Sequence, residues 1–131
     1  MNRNRTRTTL VIALLTVSGC NREERGPILA GGREVKSWIA DLRDPKPQVR
    51  RQAVLKLGNV GDTDPAAAEG LAQALRDSDP IVRRNAVSAV AKLSQPNEDV
   101  MAWLRIMVDR DGDARVRDYA KRAIVHFEKV D

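Results

Sequence analysis

The sequence predicts an all-α protein built as a short solenoid of about three stacked helix pairs. The first observation is a repeat, because residues 42–58 and 75–91 are identical at nine of 17 aligned positions. A weaker third copy follows 34 residues further on, and a period of about 30–40 residues is typical of proteins whose units pack only on their neighbours. The second observation is composition. Only 3% of the residues are aromatic, which suits closely packed helices better than a β-sandwich.

Each repeat is predicted to contain two helices. In the first repeat, a helix over about residues 34–42 places Val35 and Trp38 on one apolar face. A second helix begins at Pro47, where a missing N–H costs nothing, and runs to about Asn59. The three repeats are assigned to residues of about 34–61, 64–94 and 97–129. We expect the alanines at one shared position of the second helices to lie where helices approach closely: Ala53, Ala86 and Ala120.

Aspartates mark the starts of the later helices. Asp64 and Asp79 each precede a proline, and Asp113 precedes the last helix. Aspartate is a favoured N-cap because its carboxylate accepts hydrogen bonds from the unpaired N–H groups of the first helical turn. We therefore expect later helices over about 65–76 and 80–93, another after residue 97, and a last one from residue 114.

The repeats share a pattern of aspartate, five residues, Val-Arg, two residues, alanine, three residues and Leu-Gly. It resembles HEAT-like repeats, in particular the short bacterial type named after phycobilisome lyases. The resemblance covers about residues 34–129 and implies a right-handed α-α superhelix. It also implies a buried ladder of turn aspartates and second-helix arginines that runs from repeat to repeat, and the matching pairs are Asp44/Arg50, Asp77/Arg83 and Asp111/Arg117. We expect Arg83 to pair with Asp77 or with the aspartate of a neighbouring repeat, Asp44 or Asp111. The third repeat departs from the pattern, since it lacks the proline and carries Lys121 where the others have valine.

The first 20 residues have the layout of a secretory signal. Arginines at positions 3, 5 and 7 are followed by a mostly apolar run over residues 10–17, which is shorter than the ~20 residues of a membrane-spanning helix. Val17-Ser18-Gly19-Cys20 resembles the bacterial lipobox, with valine in place of the more usual leucine. The resemblance implies cleavage between Gly19 and Cys20 and lipidation of Cys20, the one cysteine of the chain. The alternative is an ordinary signal peptide in which this cysteine is incidental.

Three segments follow from this layout: a signal peptide over 1–19, a lipidated cysteine with a flexible tether over 20–33, and a repeat domain over 34–131. The tether is predicted from Gly26-Pro27 and Gly31-Gly32, which interrupt regular structure. We expect a lipid-anchored protein of the bacterial cell envelope. The outer membrane is favoured in a Gram-negative host, because Asn21 is not aspartate and the segment resembles the enterobacterial sorting signal. Removing residues 1–19 takes away three arginines and no acids, so the net charge falls from +5 to 20 − 18 = +2.

The sequence offers little that could carry catalysis. The single histidine, His126, has no second histidine or cysteine beside it. The run over residues 109–113 lacks the glycine and glutamate that a calcium loop needs at its sixth and twelfth positions. The paired arginines suggest phosphate binding, but one of each pair is assigned to the ladder and the mature net charge is small. We expect no enzyme activity, no metal, no cofactor and no nucleic acid partner.

A repeat solenoid presents an extended surface, which favours protein binding. We predict a non-catalytic adaptor that is tethered to a membrane and binds another protein. In similar repeats the second helices usually line the concave surface, and the binding candidates there are Arg51, Gln52, Leu55, Arg84, Asn85, Ser88, Tyr119 and Arg122. Trp103 falls outside the core register, on the outward side. It is either a binding anchor or a cover for the end of the solenoid.

Two alternative functions stay open. The name of the repeat type suggests a lyase-like accessory factor for chromophore attachment. The open ends of a short solenoid suggest a structural module that associates with further copies of itself.

Overall fold

The computed structural model describes residues 27–129, and the predicted all-α solenoid is confirmed in them as three consecutive helix pairs. The elements are β1 (Leu29–Ala30), β2 (Arg33–Glu34), α1 (Val35–Asp41), α2 (Pro47–Leu57), α3 (Pro65–Ala74), α4 (Pro80–Val90), α5 (Glu98–Arg110) and α6 (Ala114–Phe127). The expected signal peptide, with Gly19 and Cys20, lies outside the described residues. No helix within residues 27–129 combines the length and the apolar character that crossing a membrane requires.

The aspartate caps form as expected. The Oδ1 atoms of Asp64, Asp79 and Asp113 each accept hydrogen bonds from two backbone N–H groups of the following turn, at 2.9–3.4 Å. Each cap of this kind typically contributes ~1 kcal/mol. The second helices end earlier than expected, α2 at Leu57 and α4 at Val90, because the last residues of each predicted helix form a tighter turn.

The core lies between the two layers of helices. The second helices α2, α4 and α6 pack on one another in order, and each also packs on the first helix of its own pair. The expectation for the alanines is confirmed in their burial, since Ala53, Ala86 and Ala120 have no exposed surface. The bulk of the core comes from fully buried leucines and valines such as Leu71 and Leu104, each of which contributes roughly 1.5–3 kcal/mol of transfer free energy.

A β-hairpin replaces the second half of the expected flexible tether. β1 and β2 pair antiparallel across a turn in which Gly31 and Gly32 have φ of +58° and +83°, a conformation that glycine adopts without strain. Ala30 is 1% exposed, and its carbonyl accepts a 2.7 Å hydrogen bond from Nε1 of Trp38. The glycines were correctly interpreted as a break in regular structure. Residues 28–33 nevertheless belong to the folded domain, because the break is the turn of a hairpin that packs on α1.

The hairpin covers the side of the first repeat on which a preceding repeat would stack. Lys56 occupies the position that Ala89 has in the second repeat. Ala89 faces the preceding repeat, and its Cβ would lie only 3.0 Å from a Cβ added to Gly58. In the first repeat the Lys56 side chain lies against Gly31 of the hairpin instead. Arg33 adds to this cover by placing its guanidinium 4.0 Å from the centre of the Trp38 ring and 2.9 Å from Asp41.

Candidate functional site

The predicted ladder of arginines and aspartates exists, and it runs from one repeat to the next. Arg50 donates from Nε and Nη2 to the two carboxylate oxygens of Asp77 in the next repeat, at 2.8 and 2.9 Å. Its Nη1 donates to the backbone carbonyl of Asp44, in its own repeat, at 2.8 Å. Arg50 is 9% exposed and is the buried charged side chain of α2. The ladder therefore pairs each arginine with the aspartate of the repeat that follows.

Arg83 repeats this geometry one unit further on. Its Nε and Nη2 both donate at 2.8 Å to the carboxylate of Asp111, and its Nη1 donates to the carbonyl of Asp77 at 2.8 Å. The side chains of Arg83 and Asp111 are only 17% and 6% exposed. Burial by itself would raise the pKa of the Asp111 carboxyl, but the hydrogen bonds from Arg83 and from the N–H of Asp113 hold that pKa below its usual value.

Of the partners expected for Arg83, the structure shows Asp111 of the following repeat. The matching residues of one repeat, Asp44/Arg50, Asp77/Arg83 and Asp111/Arg117, do not form ion pairs between their side chains. Each arginine binds the main-chain carbonyl of its own aspartate, and Arg117 does so at 2.7 Å from the Asp111 oxygen. The physical reason is that each aspartate side chain turns toward its own loop. Asp44, for example, accepts the N–H of Lys46 at 2.7 Å. The stacking of repeats then brings the arginine of the preceding repeat within hydrogen-bonding distance of the same aspartate carboxylate.

Arg51 was predicted to be a free binding residue, and the structure places it in a second inter-repeat ion pair. Its Nη2 lies 2.7 Å from Oδ2 of Asp79, the residue that also caps α4. The hydrogen bond from Arg51 lowers the pKa of Asp79 from its usual value. The sequence identified Asp79 as a cap but gave no sign of its second role, because its partner lies 28 residues earlier.

The remaining binding candidates lie on the outward side of α2, α4 and α6, which we call the second-helix face. Leu55 is 53% exposed and Tyr119 is 38% exposed. Gln52 and Arg122 are exposed as well, while Arg84, Asn85 and Ser88 are partly covered. The guanidinium of Arg84 lies 5.8 Å from the centre of the Tyr119 ring, so these two side chains bridge α4 and α6.

A shallow cavity of about 320 Å³ opens on this face between α4 and α6. Three of the predicted residues, Ser88, Tyr119 and Arg122, line it. His126 lines it too, and sequence reasoning assigned that residue no role. Its position one turn beyond Arg122 on the same helix is the signal that would have found it. The second-helix face is therefore a groove with an aromatic ring, cations and small polar groups, which are suited to a protein surface.

Trp103 does not lie on the outward side, and this prediction is wrong. Its Nε1 donates to the Leu75 carbonyl at 3.2 Å, and the Arg76 guanidinium lies 4.6 Å from the centre of its ring. Trp103 thus joins α5 to the end of α3 in the preceding repeat. Gly70, the equivalent residue of the second repeat, likewise faces Ile39 and Leu42 of the first. The register was right, but the position faces the preceding unit and is neither an end cover nor an exposed anchor.

Two aspartates of the acidic run over residues 109–113 have structural roles. Asp111 belongs to the ladder, and Asp113 caps α6, as the sequence predicted. Within residues 27–129 the structure contains no group of three or more histidine, cysteine or acidic side chains arranged to hold a metal ion.

Comparisons with known proteins identify the repeat. A family model described as HEAT repeats matches residues 35–124. The AP-1 complex subunit beta of Dictyostelium discoideum is 35% identical to this chain over 102 residues, which are 74% of this chain and 11% of that protein. The chain thus spans about a tenth of the length of this relative. The segment that the family model matches begins within α1 and ends within α6, so it contains parts of all three helix pairs described above.

Proposed function

The chain belongs to the HEAT-repeat family, and from that premise we propose that it is a non-catalytic adaptor which binds another protein through its second-helix face and is held at a membrane by a lipid on Cys20. The observation that carries the binding proposal is the groove between α4 and α6. Its exposed lining, Tyr119 and Arg122, does not contribute to the core. Aromatic and arginine side chains are the residue types that dominate binding energies at protein interfaces.

Further support comes from the rigidity of this face. The bidentate pairs of Arg50 and Arg83, together with the pair of Arg51 and Asp79, fix each second helix to its neighbour. A surface held in one shape loses little conformational entropy when a partner binds. The relative from Dictyostelium is, by its name, a subunit of a complex, which agrees with a role in protein binding.

Variants on the two helix layers test the binding proposal. Tyr119→Ala and Arg122→Ala should each reduce the recovery of a specific partner from detergent-solubilised membranes, measured by quantitative mass spectrometry. Glu69→Ala and Gln73→Ala change exposed side chains of α3, on the other layer, and should leave recovery at the wild-type level. Equal recovery with all four variants would show that the second-helix face is not the binding surface.

The membrane proposal draws on the sequence Val17-Ser18-Gly19-Cys20 and on the basic and apolar segments before it. The folded domain begins close to this point, because the hairpin starts at Leu29. The backbone from Cys20 to Pro27 comprises seven residue steps and spans at most about 25 Å when fully extended. A lipid on Cys20 would therefore hold the hairpin end of the domain within about that distance of the head groups.

Mass spectrometry of the mature protein tests the anchor. The N-terminal peptide should begin at Cys20 and carry acyl chains, and Cys20→Ser should release the protein from carbonate-washed membranes. An unmodified Cys20 in a wild-type protein that remains in the membrane fraction would contradict this proposal and leave the binding proposal intact.

A further inference from the structure

A second depression, of about 450 Å³, lies where the second repeat meets the third. It shares no lining residue with the groove between α4 and α6. Its apolar lining includes Trp103 and Ile106, and the side chain of Ile106 is 44% exposed. Two exposed arginines, Arg76 and Arg110, line it as well. We call the surface formed by these four residues the junction groove.

The residues of the junction groove occupy positions that stay exposed inside a stack of repeats. Ile106 corresponds to Gln73 of the second repeat, and Gln73 is exposed although the third repeat follows it. Arg110 directly precedes its turn aspartate, as Arg76 does, and Arg76 is exposed at the same junction. The exposure of the groove is therefore a property of the contact between two repeats that are both present.

The charges of the junction groove are not balanced within the described part of the chain. The two carboxylates that line it, those of Asp77 and Asp111, each already bind a ladder arginine. Arg76 and Arg110 take part in no ion pair within residues 27–129. Arg76 instead places its guanidinium 4.6 Å from the centre of the Trp103 ring. This contact positions a cation on the groove without neutralising it.

The junction between the first and second repeats has the arginines but lacks the apolar lining. The arginine before the turn aspartate recurs there as Arg43. Glycine and glutamine, however, stand where the second junction has Trp103 and Ile106. Tryptophan and arginine are among the side chains that dominate binding energies at protein interfaces. The combination of cations with an apolar surface thus distinguishes the second junction from the first.

We propose that the junction groove binds an acidic segment of another protein, one in which carboxylates flank an apolar side chain. The apolar side chain would pack on Ile106, and the carboxylates would accept hydrogen bonds from Arg76 and Arg110. This pattern matches the groove in charge and in polarity. A membrane surface matches less well, because two cations are fewer than the about four to eight that recognition of anionic lipids typically uses.

Fluorescence anisotropy with the full chain in neutral detergent micelles tests the groove. The probe is a labelled peptide, Glu-Asp-Glu-Leu-Glu-Asp-Glu, and it should bind more weakly as the salt concentration rises, since exposed charges are screened. A matched peptide with glutamine and asparagine in place of the acids should bind roughly tenfold more weakly, because two ion pairs are lost.

Three arginine variants locate the charges that the probe uses. Arg76→Gln and Arg110→Gln should each weaken binding roughly two- to fivefold, the scale of one exposed ion pair. Arg110→Gln leaves the contact between Arg76 and Trp103 intact, so it separates binding from packing. Arg43→Gln changes the equivalent exposed arginine of the first junction and, as the matched control, should bind the probe with wild-type affinity.

Photo-crosslinking separates the junction groove from the second-helix face. p-Benzoylphenylalanine in place of Ile106 should crosslink to the acidic probe, whereas the same residue in place of Leu55, which is 53% exposed on the second-helix face, should not. Tyr119→Ala should leave the affinity for the probe unchanged, so failure here is distinguishable from failure of the proposed function.

Four results would each overturn the proposal. They are equal binding of the acidic and the neutral peptide, an affinity unaffected by both Arg76→Gln and Arg110→Gln, and crosslinking from position 55 as strong as from position 106. The fourth is displacement of the probe when phosphatidylglycerol is mixed into the micelles, which would assign the junction groove to a membrane surface instead.

Discussion

Arg83 and Arg84 are adjacent residues with opposite environments. Arg83 joins the second repeat to the third through a nearly buried ion pair with Asp111, while Arg84 only lies over the ring of Tyr119 at 5.8 Å. Arg83→Ala leaves a carboxylate buried without its partner and should lower the free energy of unfolding by roughly 2–3 kcal/mol, somewhat less than for a completely buried pair. Arg84→Ala should change it by less than about 0.5 kcal/mol. Urea denaturation of the two variants measures both values, and the reverse order would contradict the assignment of the ladder.

Asp79 makes part of the stability depend on pH. Its pKa is lowered in the folded state, first by the hydrogen bond from Arg51, and the pKa of Asp111 is also lowered. A lowered folded-state pKa contributes stability above the unfolded-state value of ~3.9, and this contribution is lost as the pH falls through the folded-state pKa. The free energy of unfolding should therefore decrease below about pH 4. Asp79→Asn keeps an N-cap but cannot titrate, so the decrease between pH 5 and pH 3 should be smaller in that variant; an unchanged decrease would contradict the role given to Asp79.

At the scale of the helices, the stacking of α2, α4 and α6 depends on small side chains. Ala86 lies in the middle helix and has no exposed surface. Ala86→Leu should overpack the core and cost roughly 1–3 kcal/mol. Ala102→Leu makes the same change at an exposed position of α5 and should be nearly neutral. Differential scanning calorimetry compares the two variants, and equal melting temperatures would show that Ala86 is not at a close contact.

The sequence predicted the helices well because their signals are local. Aspartates and prolines at the starts, and apolar residues at helical spacing, determine each element from fewer than ten neighbouring residues. The partners of the ladder arginines were not predictable in this way. Asp77 and Asp111 lie 27 and 28 residues from the arginines they bind, and two aspartates were available to each arginine. The hairpin was missed for a related reason, since two residues per strand give no periodicity and only packing against Trp38 makes them ordered.

The direction of the Trp103 side chain shows a further limit of sequence reasoning. In the repeat register, Trp103 corresponds to Ser37 and Gly70 of the earlier repeats. The direction of that position becomes visible only when units are stacked, because it faces the preceding unit and not the core of its own. The same limit applied to Arg51. The sequence alone suggested that its guanidinium was free to bind a partner, whereas the structure places it 2.7 Å from Asp79 of the next repeat. The helices of each unit were therefore predictable from the sequence, whereas the contacts between units required the three-dimensional structure.

At the scale of the whole molecule, the two ends of the solenoid differ. Within residues 27–129, the β-hairpin covers the first repeat, and a depression lined in part by Val108, Ile124 and Val125 opens in the third. One ladder pair joins each repeat to the next: Arg50 with Asp77 at the first junction, and Arg83 with Asp111 at the second. The stability of such a chain is approximately a sum of repeat and junction contributions.

This organisation predicts that a substitution which weakens one junction lowers the local stability of the repeats on one side of that junction only. Arg83→Ala weakens the junction between the second and third repeats, so backbone amides of α6 should exchange with solvent faster while those of α2 remain close to wild type. Arg50→Ala should produce the opposite pattern, with faster exchange in α1 and α2 and little change in α6. Hydrogen-exchange mass spectrometry of the two variants measures both patterns under the same conditions. Uniformly faster exchange along the whole chain in either variant would mean that the three repeats unfold as one cooperative unit, and the nearest-neighbour description would then be wrong for this solenoid.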